Sequence, residues 1–200
     1  MARQSKKTKK GRIGRRPAVL TLDTPHFSQT RAMCGPACLK IVCAYFGQTI
    51  SEAKAAKACR ASKVTGTTGR NLMQGARDLG FTGEIVECAT FRHIERWLRA
   101  GVPVIVDWMS TVGSDPTQSS MACGHYSVVC GLDQQHITLQ DPAVGRRRIA
   151  RAAFFKVWFD FQSDYPRQRR DLLIRRMIVV RPRRGGRTQP SGGELESRGF

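Results

Sequence analysis

The stretch QTRAMCGPACLKIVCAYFG, residues 29–47, decides the expected fold. From residue 37 to residue 46 it has the apolar periodicity of a buried helix. The apolar stripe consists of Leu39, Val42, Cys43 and Phe46. Pro36 suits a first helical turn, and Gly47 suits the position just past a helix end. The sequence therefore predicts a buried helix that begins directly behind Cys34.

A cysteine in front of a helix has chemical consequences. The N-terminal end of a helix is positive and offers free backbone N–H groups, so the position of Cys34 favours the thiolate, which is the nucleophilic form. Gln29 lies five residues earlier, in the loop that leads to the helix. Its amide could donate a hydrogen bond to an oxyanion formed at the thiolate's target, and the backbone N–H of Cys34 would be the second donor.

A thiol nucleophile also needs a base, and the chain has four histidines, His26, His93, His125 and His136. His125 opens the β-branched stretch HYSVVC, which predicts a strand, and Asp141 ends the following strand. If these strands form a hairpin, antiparallel pairing places the start of one beside the end of the other. Asp141 would then hold the imidazole of His125 while the ring faces Cys34.

Each of these residues also has a purely structural interpretation. Cys34 could be a small buried side chain, His125 a hydrogen-bonded core histidine, and Asp141 an ordinary residue of an Asp-Pro turn. Cys34 and Cys38, with Cys123 and His125, could alternatively supply four zinc ligands. Because Gln29, Cys34, His125 and Asp141 occur together in this order, the sequence favours Cys34 as a nucleophile over the other interpretations. No metal or cofactor is expected for this function.

The rest of the chain predicts an α+β fold, because helical patterns come first and strand patterns follow. The expected architecture is a set of N-terminal helices packed on a C-terminal antiparallel sheet. Besides the first helix, the expected helices are 51–57, 71–79, 91–100 and 152–161. The expected strands are 84–87, 102–106, 125–130, 136–140, 146–149 and 173–180.

The charge is concentrated at the two ends of the chain. Of the net +19, 15 charges lie in residues 1–16 and 167–200. Blocks of like charge repel one another and stay solvated, so we expect a basic arm over residues 1–22, one domain over 23–181 and a basic, glycine-rich tail over 182–200. The arms suit either solubility or an anionic partner such as nucleic acid or a lipid surface.

Neither an export signal nor a transmembrane segment is evident, since no apolar run is long enough. The seven cysteines form no C-x-x-C pair, and we expect them to be free thiols of a cytoplasmic protein.

Several motifs together resemble a known family. They are Gln29-x4-Cys34-Gly35-Pro36-Ala37-Cys38-Leu39, Tyr45-Phe46-Gly47, Gly124-His125-Tyr126-Ser127-Val128-Val129 and Asp141-Pro142-Ala143-x-Gly145. They look like the papain-like bacteriocin-processing peptidases, which cut after double-glycine leaders. Over residues 23–165, the resemblance implies a Cys34–His125–Asp141 triad with Gln29 in the oxyanion hole. Because transporter motifs are missing, the chain is similar to the stand-alone branch.

Two functions compete. The first is a cysteine peptidase that hydrolyses peptide bonds of a peptide or protein substrate, with cleavage after Gly-Gly as one specificity and acyl transfer as a close chemical variant. The second is a catalytically silent peptidase-like module that binds nucleic acid or another polyanion through its basic arms, because a fold does not by itself imply a function.

Overall fold

The computed structural model describes residues 19–110, 123–162 and 168–183. A short strand comes first, and three helices, a strand and a fourth helix follow. In chain order these are β1 Val19–Thr21, α1 Cys34–Tyr45, α2 Glu52–Ala58, α3 Gly69–Asp78, β2 Phe81–Val86 and α4 Phe91–Arg99. The second half is mostly strand. It contains β3 Val104–Ser110, β4 Cys123–Asp133, β5 His136–Asp141, β6 Gly145–Ala150, α5 Arg151–Val157, β7 Phe159–Phe161, a 3₁₀ turn Arg169–Asp171, β8 Leu172–Ile174 and β9 Met177–Pro182.

One antiparallel sheet organises the molecule. Its strands run in the order β2-β9-β3-β4-β5-β6, and β1 pairs with the far end of β4. A separate two-stranded sheet joins β7 and β8. The helices α1 to α3 precede all strands of this sheet except β1 in the chain and pack on one of its faces, so the α+β architecture predicted from the sequence is confirmed.

The sheet separates two apolar clusters, because alternate side chains of a strand point to opposite faces. On one face, Ile105, Val128 and Ile178 pack against α1, α2 and α3. On the other face, Val106 and Val129 pack with α4, α5 and their aromatic side chains. The helix α1 is buried on nearly all sides, which its apolar sequence requires. It is therefore a rigid support for the residue that begins it.

Three differences from the sequence prediction each add a strand that was not expected. Residues 19–21, assigned to the basic arm, form β1 in the main sheet. The helix expected over 152–161 ends at Val157, and β7 follows it. The strand expected over 173–180 is two strands, separated where Arg175 adopts a positive φ of 47°. The periodicity of short apolar runs does not resolve such local breaks.

Most of the two basic arms lies outside the described residues, so their predicted role stays a prediction. Within the described part of the chain, no helix has both the length and the apolar character needed to cross a bilayer.

Candidate active site

Cys34 is the first residue of α1, so the helix begins slightly earlier than predicted from the sequence, and its side chain is half-buried. The helix begins in close contact with the segment before α3. A Cβ added to Gly35 would overlap the methyl group of Thr67 and would touch the ring of Tyr126 at 3.4 Å. Glycine therefore allows the positive end of α1, with the Cys34 thiol, to approach its neighbours closely.

The strands β4 and β5 form the expected hairpin, in which Val128 is opposite Gln140. His125, near the start of β4, and Asp141, at the end of β5, meet across it. Nε2 of His125 lies 3.0 Å from Oδ1 of Asp141, and both side chains are almost completely buried. The 15 intervening residues are accounted for by the two strands and their turn.

The ring of His125 also interacts with Cys34, and this interaction contributes to the pKa of the imidazole. Since Nε2 faces Asp141, Nδ1 is the nitrogen left for the thiol. Burial disfavours the imidazolium, but the hydrogen bonds with Asp141 and Cys34 outweigh it and raise the pKa of His125 to about 9. The structure thus brings Cys34, His125 and Asp141 together in one chain of contacts.

Asp141 is held as a carboxylate by several donors. Oδ1 also accepts from the backbone N–H of Ala143 at 2.8 Å, and Oδ2 accepts from Oγ of Ser127 at 3.1 Å. Burial alone would favour the protonated form, but these hydrogen bonds and the His125 ring lower the pKa of Asp141. A carboxylate in this state can stabilise a positive charge on the ring.

Gln29 lies in the loop before α1, and this loop is anchored on two sides. The backbone N–H of Gln29 donates to the carbonyl of Pro142 at 2.9 Å. Both the backbone N–H and the hydroxyl of Thr30 donate to the carboxylate of Glu52, at 2.9 and 3.0 Å. Oε1 of Gln29 is buried without a hydrogen-bond partner within the described part of the protein. The loop therefore joins the start of α1 to the turn that follows Asp141.

Two side chains that contact the His125–Asp141 pair were not predicted from the sequence. Ser127 links Asp141 to Nε1 of Trp108, whose N–H donates to Oγ of Ser127 at 3.0 Å. The two-residue period of a strand already places Ser127 on the same face as His125. Trp108 is opposite His125 in the β3–β4 register, a pairing that the sequence does not reveal.

The other three histidines have separate partners. His26 faces Gln140 with Nδ1 at 2.9 Å and Ser28 with Nε2 at 3.3 Å. His93 accepts from the backbone N–H of Thr90 and caps α4. His136 begins β5 beside Asp133.

A zinc site formed by these cysteines is not supported. Within residues 19–110, 123–162 and 168–183, no three His, Cys, Asp or Glu side chains are grouped to hold a metal ion. Cys38 is buried in the apolar cluster around α1, and burial raises the pKa of its thiol well above the usual value. All seven cysteines are free thiols, as the sequence predicted.

Comparison with known proteins agrees with this architecture. The model of the Peptidase C39-like family matches residues 21–165. An uncharacterized protein of Methanothermobacter marburgensis is 32% identical over 125 residues, which cover 62% of this chain and 75% of the relative. A double glycine motif protease from an AMS/PCAT transporter, solved in complex with the leader peptide, has a TM-score of 0.60 at 18% identity and covers 82% of this chain and 94% of its own. The peptidase domain of Streptococcus ComA has a TM-score of 0.59 at 22% identity, with coverages of 82% and 99%.

The fold is that of the papain-like cysteine peptidase domains. Within that class, the chain belongs to the Peptidase C39-like family, whose model spans most of the described residues.

Proposed function

We propose that this chain is a cysteine peptidase in which Cys34 is the nucleophile, His125 the general acid and base, Asp141 the residue that orients His125, and Gln29 an oxyanion donor. The observation that carries the proposal is that Cys34, at the N-terminus of a buried helix, interacts with the ring of His125, which is hydrogen-bonded to Asp141. Family membership supports peptide-bond hydrolysis as the reaction.

The geometry supports the first half of the reaction. His125 takes the proton of Cys34, and Sγ then attacks the carbonyl carbon of the scissile peptide bond. The C–S bond forms while the carbonyl π electrons move to oxygen. The backbone N–H of Cys34 and the amide of Gln29 donate to that oxyanion. The imidazolium then gives its proton to the leaving nitrogen, the C–N bond breaks, and a thioester remains.

Hydrolysis of the thioester uses the same groups. His125, now neutral, removes a proton from a water molecule, whose oxygen attacks the thioester carbon. The C–S bond breaks, the thiolate of Cys34 leaves, and the acid product departs. Asp141 remains ionised throughout, because its pKa is lowered by its hydrogen bonds, and it stabilises the imidazolium at both proton transfers.

We further propose cleavage after Gly-Gly. The double glycine motif protease with the similar fold was solved with a leader peptide, which makes peptides of that type the first substrates to test.

The test uses synthetic peptides of identical length that differ only at the two residues before the scissile bond, Gly-Gly, Ala-Ala or Val-Val. Products are identified by mass spectrometry with the full chain and with Cys34→Ala. The proposal expects cleavage of the Gly-Gly peptide by the wild type alone. Equal cleavage of all three peptides would overturn the glycine specificity, and equal activity of Cys34→Ala would overturn the thiol mechanism.

A further inference from the structure

A buried serine donates a hydrogen bond to the carboxylate of the His125–Asp141 pair. Ser127 is fully buried, and its Oγ donates to Oδ2 of Asp141 at 3.1 Å while it accepts from Nε1 of Trp108 at 3.0 Å. Oδ1 of Asp141 is hydrogen-bonded to Nε2 of His125 and accepts a second hydrogen bond from the backbone N–H of Ala143. Since both carboxylate oxygens have donors from different directions, the carboxylate cannot rotate without losing one of them.

Trp108 contacts His125 as well as Ser127. Its indole packs edge-on against the ring of His125, with centroids 6.1 Å apart and an interplanar angle of 66°. The guanidinium of Arg147 lies 5.7 Å from the centre of the indole, and its Nη1 is 3.8 Å from Oδ2 of Asp141. The indole that donates to Ser127 therefore also contacts the imidazole and an arginine side chain.

We propose that Ser127, oriented by Trp108, is a positioning residue that fixes the rotation of the Asp141 carboxylate and so holds the His125 imidazolium against Cys34. The proposal rests on the proposed peptidase function. Ser127 does not contact the reacting atoms. It acts through Asp141, because the single donor hydrogen of its hydroxyl is used on the carboxylate.

This role has a characteristic pH signature. In a thiol–imidazole pair, reaction of the thiol at neutral pH depends on the imidazole, which in turn depends on an oriented carboxylate. At high pH a thiol ionises without help from the ring. Loss of positioning therefore lowers thiol reactivity at neutral pH and leaves it nearly unchanged at high pH. A general packing defect would not separate the two ranges in this way.

The test compares Ser127→Thr with Ser127→Val, since threonine and valine have nearly the same shape and differ in the hydroxyl group. The measurement is the rate of iodoacetamide alkylation at Cys34, resolved by peptide mass spectrometry across the pH range. We expect Ser127→Val to lower the rate at neutral pH by about tenfold relative to Ser127→Thr, which is the order of a hydrogen bond to a charged group. Above about pH 9.5 the two rates should agree. Trp108→Phe, which keeps a ring and loses the N–H, should lower the neutral-pH rate in the same direction.

Cys88 is exposed and provides an internal standard for alkylation in every sample. Cys130→Ala is the matched control, a buried truncation in the same strand that leaves Ser127 intact. If Ser127→Val does not fold, Ser127→Ala takes its place against Ser127→Thr. Equal profiles for the two Ser127 variants, with fast wild-type Cys34, would overturn the positioning role alone. Wild-type Cys34 reacting no faster than Cys88 would overturn the proposed function together with it.

Discussion

The backbone N–H of Gln29 donates to the carbonyl of Pro142 over 2.9 Å, although 113 positions separate the two residues in the sequence. The bond joins the loop that carries the proposed oxyanion donor to the residue that follows Asp141. The proposed donor and the proposed orienting carboxylate are thus fixed to one another through the main chain. Substitutions of the Gln29 side chain leave this connection in place, so the side chain can be tested separately from the loop.

Cys34→Ala should abolish peptidase activity, with a loss of at least about 1,000-fold, because removing a nucleophile removes the covalent route. In the wild type, Cys34 should alkylate much faster than Cys43 and Cys59, whose pKa values are raised by burial to about 12. Residue-resolved mass spectrometry after brief exposure to iodoacetamide measures this. Cys88→Ser is the control, since Cys88 is exposed and lies outside the site. Uniform, slow labelling of all seven thiols would contradict an activated Cys34.

Replacing Gln29 separates oxyanion stabilisation from thiol activation. Gln29→Ala should lower kcat by about 100-fold, as removal of one oxyanion donor does elsewhere. Gln29→Glu keeps the size but places a carboxylate near the developing negative charge, so its loss should be larger. Iodoacetamide alkylation of Cys34 should stay close to the wild-type rate in both variants, because this reaction forms no oxyanion. If alkylation falls in parallel with peptidase activity, Gln29 supports Cys34 rather than the transition state.

The raised pKa of His125 makes folding depend on pH. Its folded value of about 9 exceeds the ordinary value of 6.5, so protonation of the ring favours the folded state. This stabilisation is complete below about pH 6.5 and is lost as the pH rises through about 9, and it amounts to about 3 kcal/mol at most. Asp141 acts in the opposite direction, because its lowered pKa gives stability that is lost when acid protonates it.

Urea unfolding at about pH 6 and about pH 9.5 measures this difference for the wild type and for His125→Gln. The wild type should lose more stability between the two values than His125→Gln does, since glutamine does not titrate. His93→Gln is the matched control, because His93 is exposed and caps α4 on the protein surface. The same pH dependence in the wild type and in His125→Gln would exclude a protonated His125 as its source.

Gly35→Ala should destabilise the fold by about 1–3 kcal/mol, because the new methyl group would overlap the methyl group of Thr67. Thr67→Ser removes only that methyl and keeps the hydroxyl, which donates to the carbonyl of Cys59 at 2.8 Å. The double variant should therefore recover most of the stability and most of the alkylation rate of Cys34. Thermal unfolding and labelling of the two single variants and the double variant provide the test. Additive losses would show that the overlap is not the cause.

The periodic segments could be predicted from the sequence because their signals are local. The apolar stripe of α1, the cap at Ser51 and the hairpin of β4 and β5 each depend on residues close together in the chain. Short segments were less predictable. The strand β1 is only three residues long and is stabilised by pairing with residues 131–133 of β4, which no local pattern indicates.

The sequence by itself determined the order of the chemical groups: a cysteine at a helix start, a histidine that opens a strand, and an aspartate that ends the next one. These features follow from local propensity and periodicity. The tertiary structure decided what surrounds them, since contacts between strands and loops distant in sequence depend on register and packing. Three contacts arise in this way. They are the hydrogen bond from Ser127 to Asp141, the edge-on packing of Trp108 against His125, and the hydrogen bond from Gln29 to Pro142. These contacts fix where each side chain of the proposed triad points.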